Sequence, residues 1–86
     1  MEVLMKPIET ITTHSKEGVI HPEKYRIMED GEKIVVRIEK ILTRNEEKSD
    51  GCREFIFSCQ GVINGCMKNF ELKYRVPSCQ WFLYRM

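Results

Sequence analysis

Cys52, Cys59, Cys66 and Cys79 are separated by six, six and twelve residues. Structural zinc sites draw their ligands in pairs from short knuckles such as C-x2-C, and this spacing contains none. An even count also suits disulfides, but those belong to chains sent to an oxidising compartment. The opening Met1-Glu-Val-Leu-Met-Lys6 has no basic stretch followed by a long apolar one, so no secretory signal is expected. The residues therefore predict four reduced thiols in a cytoplasmic protein, with the inward-facing ones packing as small hydrophobes.

His14 and His21 flank Glu17-Gly18. A two-residue loop there would set the imidazoles directly opposite each other, with Glu23 two residues along the same face. Two imidazoles and a carboxylate could hold a divalent metal or form a pH-dependent contact. A three-residue loop, Lys16-Glu-Gly18, shifts the register and separates them, which leaves ordinary surface residues. His14, His21 and Glu23 are the candidate metal ligands, and no cofactor is expected.

Catalytic signatures are missing. The chain has no P-loop, no G-x-S-x-G and no H-E-x-x-H. No cysteine has the local setting of a nucleophile. The carboxylates lie in turns or alternate with Lys and Arg, as on a solvated face. The expectation is a protein that binds rather than catalyses.

The elements that must position these residues follow from composition. The chain of 86 residues is 42% hydrophobic with a net charge of +1, which suits one small domain spanning 1–86. No apolar run approaches the roughly 18 residues of a membrane span, and the balanced charge exerts no long-range pull on nucleic acid or anionic membrane. Alanine is absent and leucine occurs four times, against nine Ile and six Val. Alanine is the best helix former, whereas β-branched and aromatic residues suit a pleated sheet. The bias predicts an all-β chain.

Turn signals divide it. Asp30-Gly31 and Asn64-Gly65 are favoured pairs for type I′ hairpin turns. Glu17-Gly18 and Pro77-Ser78 mark two further turns, and the polar run 44–51 reads as a longer loop. Six antiparallel strands are predicted, near 7–14, 19–28, 33–43, 52–63, 66–76 and 79–86. A meander of this size would bury its apolar face by curling into a closed or half-closed small barrel. The last strand is too apolar to hang free and must be paired.

A two-residue turn fixes register. Asn64-Gly65 pairs Ile63 with Cys66, Cys59 with Phe70, Phe57 with Leu72 and Phe55 with Tyr74 on one apolar face. Glu54–Arg75, Ser58–Glu71 and Gln60–Asn69 fall on the other face, which is expected to meet water. Asp30-Gly31 sets Ile27 opposite Ile34 and Tyr25 opposite Val36, with Ile38 and Leu42 continuing the apolar alternation. A helix over 34–48 also fits spacings of three and four, but no capping residue opens it.

The other face of that second hairpin breaks a local rule. It sets Lys24 opposite Arg37, with Arg26 and Lys33 close by, and like charges directly across a strand pair are destabilising. An anionic partner would relieve the repulsion. Otherwise the four cations form a solvated face, with Glu39 nearby. Another protein is the leading expectation for a partner, and nucleic acid bound by Lys24, Arg26, Lys33 and Arg37 is the alternative. A metal- or pH-responsive module on His14 and His21 comes third.

Several strings are shared with a wider group. Lys6-Pro-Ile-Glu9, His21-Pro-Glu-Lys-Tyr-Arg26, Ser58-Cys-Gln-Gly-Val-Ile-Asn-Gly65, Phe70-Glu-Leu-Lys-Tyr74 and Cys79-Gln-Trp-Phe-Leu-Tyr84 resemble a group of short all-β bacterial proteins. The resemblance covers nearly the full length. It implies an origin, in some Gram-positive bacteria, near genes for error-prone Y-family DNA polymerases, and hence an accessory role in DNA repair. It implies no established activity and no site residues.

Overall fold

The computed structural model describes residues 1–86, the side chain of Ser49 excepted. The chain is all-β, and no helix in it is long and apolar enough to cross a membrane. Seven antiparallel strands form one sheet: β1 (Val3–His14), β2 (Ile20–Glu29), β3 (Glu32–Arg37), β4 (Lys40–Ser49), β5 (Cys52–Ile63), β6 (Cys66–Arg75) and β7 (Gln80–Arg85). Their order across the sheet is β3-β2-β1-β7-β6-β5-β4. It is a meander whose first and last strands meet in the middle.

Three of its turns share one device. Asp30-Gly31, Asp50-Gly51 and Asn64-Gly65 all have positive φ, between 49° and 80°, which matches the right-handed twist of the flanking strands. The registers they set agree with the turn chemistry. Every pair expected around Asn64-Gly65 is present, from Ile63–Cys66 to Glu54–Arg75. So are Ile27–Ile34, Tyr25–Val36 and Lys24–Arg37.

Three expectations need correction. The run 44–51 is not a loop, because Arg44 to Ser49 pair with β5 and the reversal is the two-residue turn Asp50-Gly51. A charged sequence is compatible with an edge strand, where solvent and charge together discourage further pairing. The strand expected at 33–43 is two strands. The Ile38 N–H donates to the Glu23 carbonyl, but the Glu39 N–H donates to the Gln60 carbonyl. The backbone thus leaves β2 for β5 at this step, and six strands become seven. A bulge between Ile41 and Thr43 then turns Leu42 out to solvent, 45% exposed, instead of inward.

The sheet also stays open. β3 and β4 are its two edges and are consecutive in the chain. They run in the same direction, one continuing the other, so they cannot lie side by side to close a barrel. A two-residue link still brings one edge within a short step of the other, and the sheet must curl to allow it. The concave side holds the core. Tyr25, Ile27, Val36 and Ile38 pack against Phe55, Phe57, Cys59, Phe70, Leu72, Trp81 and Leu83. The Tyr25 and Phe70 rings meet edge to face at 5.5 Å.

β1 divides its pairing as β3 and β4 divide theirs. Val3 to Ile8 pair with β7 and Glu9 to His14 with β2. A bulge within Val3–Lys6, where Met5 has φ 46°, lets the strand bend between them. β7 is therefore an interior strand, paired on both sides, as its apolar sequence required.

Candidate functional site

β1, β2 and β3 present their convex face to solvent. Alternation places Glu9 and Ile11 of β1, Lys24, Arg26 and Met28 of β2, and Lys33, Val35 and Arg37 of β3 on that face, opposite the inward Tyr25, Ile27 and Val36. Cross-strand rows run Ile11–Lys24–Arg37 and Glu9–Arg26–Val35. All four cations expected to share this ribbon do share it.

They are not equivalent. The Arg26 guanidinium donates twice to the Glu9 carboxylate, at 2.7 and 3.2 Å. These hydrogen bonds, with the positive charge behind them, hold the Glu9 carboxyl below its usual range. Among the described residues Lys24, Lys33 and Arg37 make no ion pair. Three large apolar side chains lie between them, Ile11, Met28 and Val35, each between 56% and 59% exposed. Glu9, Ile11, Lys24, Arg26 and Val35 line a shallow depression of about 330 Å³. The face thus offers positive charge beside exposed hydrophobic surface, with its one acid already engaged. The Glu9–Arg26 contact escaped the sequence reading because it depends on the register of the first hairpin.

That register follows the three-residue loop. The Ser15 N–H bonds the Val19 carbonyl, so His14 faces Ile20 and His21 faces Thr13. The two imidazoles are not opposed. A bulge then admits Glu23 as an extra residue between the Thr12–Pro22 and Ile11–Lys24 pairs. Its carboxylate accepts the Thr13 hydroxyl at 3.1 Å and lies 3.8 Å from His21 Nε2. Among the described residues no group of three or more His, Cys, Asp or Glu is placed to hold a metal ion.

The cysteines are scattered. All four are free: Cys59 is fully buried, Cys52 partly so, and Cys66 and Cys79 are exposed. Burial pushes the Cys59 thiol up to about 12. A second depression, of about 360 Å³, opens where β1 leaves β7, beside Ile8, Thr10, Cys79 and Trp81. Thr10 Oγ1 is buried there without a hydrogen-bond partner. No acid, base and nucleophile converge in it.

One polar cluster lies where water was expected. On the convex side of β5, Glu54 is 2% exposed and Ile56 is 7% exposed, which corrects the idea of a wholly solvated face. Glu54 takes Arg75 at 3.1 Å and Lys73 at 3.7 Å. Lys73 also sits 3.9 Å from the centre of the Tyr84 ring, and Arg75 lies over Phe82 at 5.2 Å. Long cationic stems and β7 aromatics cover the face here. Each charge is satisfied within the protein, so the cluster braces β5, β6 and β7 and leaves little for a ligand.

Comparison with protein-family models, curated proteins and solved structures found no significant match for this chain.

Proposed function

We propose that this protein is a non-catalytic binding module whose contact surface is the convex face of β1, β2 and β3, and whose partner is an acidic protein surface. One observation carries the reading: three cations without an ion pair among the described residues alternate with three largely exposed hydrophobic side chains on a single three-stranded face. Cations separate Ile11, Met28 and Val35, so a partner covering them must bring acidic groups beside apolar ones. The repulsion across Lys24–Arg37 costs stability that an anionic partner would return. A reducing, cytoplasmic setting, consistent with four free thiols, belongs to the same proposal.

Nucleic acid suits the cations but not the rest of the face. Phosphates would leave Ile11, Met28 and Val35 uncovered. The only aromatic residue of β1 to β3, Tyr25, points into the core, so the face offers no stacking platform for bases. Titrating a glutamate-rich amphipathic peptide and a single-stranded oligonucleotide between about 50 and 200 mM salt separates the two. The proposal expects the peptide to bind and to keep binding as salt rises, through its apolar contacts. Oligonucleotide binding with a log–log salt slope of about −2, as three free cations on a single strand would give, would favour the nucleic-acid reading and the repair role implied by resemblance.

A further inference from the structure

The edge of β3 deepens this reading. In the type I′ hairpin the Glu29–Glu32 pair closes the turn, so even-numbered residues of β3 direct their N–H and C=O groups towards β2. The Ile38 to Glu23 hydrogen bond continues that parity, and the Glu39 to Gln60 bond shows odd-numbered residues directed the other way. Lys33, Val35 and Arg37 thus aim their backbone groups away from β2. At Arg37 this side is occupied, because a Cβ on Gly61 would lie 2.5 Å from the Arg37 carbonyl oxygen. At Lys33 and Val35 no strand lies beyond, since β3 is the end of the sheet.

The two edges of the sheet differ. Odd and even residues of β4 are nearly all charged or polar, and Glu46 is tied to Arg53 at 2.9 Å. Such an edge discourages pairing. β3 is charged as well, at Glu32, Lys33 and Arg37, but its outward charges are of one sign and flank Val35, which is 59% exposed. This edge repels a cationic strand and admits an acidic one.

We propose that an extended acidic segment of a partner protein adds to β3 as a further strand, its backbone pairing with Lys33 and Val35 and its outward side chains meeting Lys33, Val35 and the reach of Arg37. The inference rests on the binding-face reading above. Alternation selects the partner's pattern: acidic residues on the outward positions and apolar ones on the inward positions, where they cover half-buried Ile34. A second copy of this chain suits the edge poorly. Antiparallel self-pairing centred on Val35 sets Lys33 opposite Arg37 of the other copy, a like-charge contact.

A labelled peptide of about eight residues alternating glutamate and valine is the probe, read by fluorescence anisotropy, with a peptide of the same composition in two blocks as control. Alternate-residue N-methylation of the probe on its pairing edge removes its donors without touching the protein. Val35→Pro removes the protein's donor and leaves the β2 ladder intact, because the Val35 N–H points away from β2. Each change is expected to weaken binding by about tenfold or more, the equivalent of one to two lost hydrogen bonds. Lys33→Glu is expected to weaken it as well. Unchanged binding of the methylated peptide, or block peptide binding as well as the alternating one, overturns strand addition. If Lys33→Glu alone abolishes binding, the face reading survives and the edge inference falls. If neither peptide binds the native protein, both fall. Dimerisation of the protein that is lost in Val35→Pro would assign the edge to a second copy and overturn the acidic partner.

Discussion

Lys24 on β2 lies directly opposite Arg37 on β3, on the solvent side of the sheet, and neither has an acidic partner among the described residues. Folding brings these two charges together against their own repulsion. The Lys24→Gln, Arg37→Gln double variant should therefore melt about 1–5 °C above the native protein at low salt. The gap should shrink as salt screens the pair. A scanning calorimeter at two ionic strengths checks both statements.

The central hairpin places Phe57 and Leu72 opposite each other, both with no exposed surface. Leu72→Ala should cost about 2–5 kcal/mol in urea unfolding, as buried large-to-small changes do. Glu71→Ala, one position along, loses the 2.6 Å contact to Arg85 from a side chain only 14% exposed, but the Arg85 it leaves is still reached by solvent, so the cost should be smaller. Equal costs would contradict the register.

Among the described residues Glu54 is the buried charged group, held by Arg75 and Lys73. Glu54→Ala leaves both cations without their shared partner. The expected loss is about 1.5–3 kcal/mol, the range for a hydrogen bond to a charged group. Chemical denaturation of the variant measures it, and a loss near zero would mean the cations re-pair in solvent.

Alkali should unfold this protein earlier than its charge balance suggests. Burial pushes the Cys59 thiol from about 9 up to about 12 and the Tyr25 phenol from about 10 up to about 12. Both groups ionise first in the unfolded chain, so their share of stability is intact below pH 9 and is lost as pH rises towards 12. Each ionised group takes about 1.4 kcal/mol per pH unit in that window. Melting temperatures of the native protein and Cys59→Ala across this range should show the variant's decline beginning about one pH unit later, with the tyrosine.

β7 lies between β1 and β6, and its Trp81 and Leu83 belong to the core. Removing Trp81 to Met86 cuts the sheet into two unpaired parts. The truncated chain should lack a cooperative melt by circular dichroism.

The fold was legible wherever turn chemistry and alternation agreed. Asp30-Gly31 and Asn64-Gly65 fix φ, loop length and register together, so the pairs around Val36 and Leu72 follow from the residues alone. Asp50-Gly51 carried the same signal, but the charged residues before it resemble a loop, and only an edge position accommodates them as a strand. The exchange of partners at Ile38-Glu39 leaves no local mark, because both residues stay extended while their hydrogen bonds change direction. The Met5 bend in β1 is hidden for another reason: it needs a positive φ, and methionine gives no signal for one. The four cations of the candidate face were placed by the second hairpin. The neutralisation of Arg26 by Glu9 needed the β1–β2 register, and Glu17-Gly18 left two loop lengths open.

The binding face is tested most directly by nuclear magnetic resonance, following the backbone amides of the labelled protein as the alternating glutamate–valine peptide is added. The amides of Lys24, Lys33, Val35 and Arg37, on β3 and the strand beside it, are expected to shift together and saturably, while those of the Glu54–Lys73–Arg75 cluster stay in place. Shifts centred on β5 to β7, or none at concentrations where the anisotropy changes, would contradict this expectation.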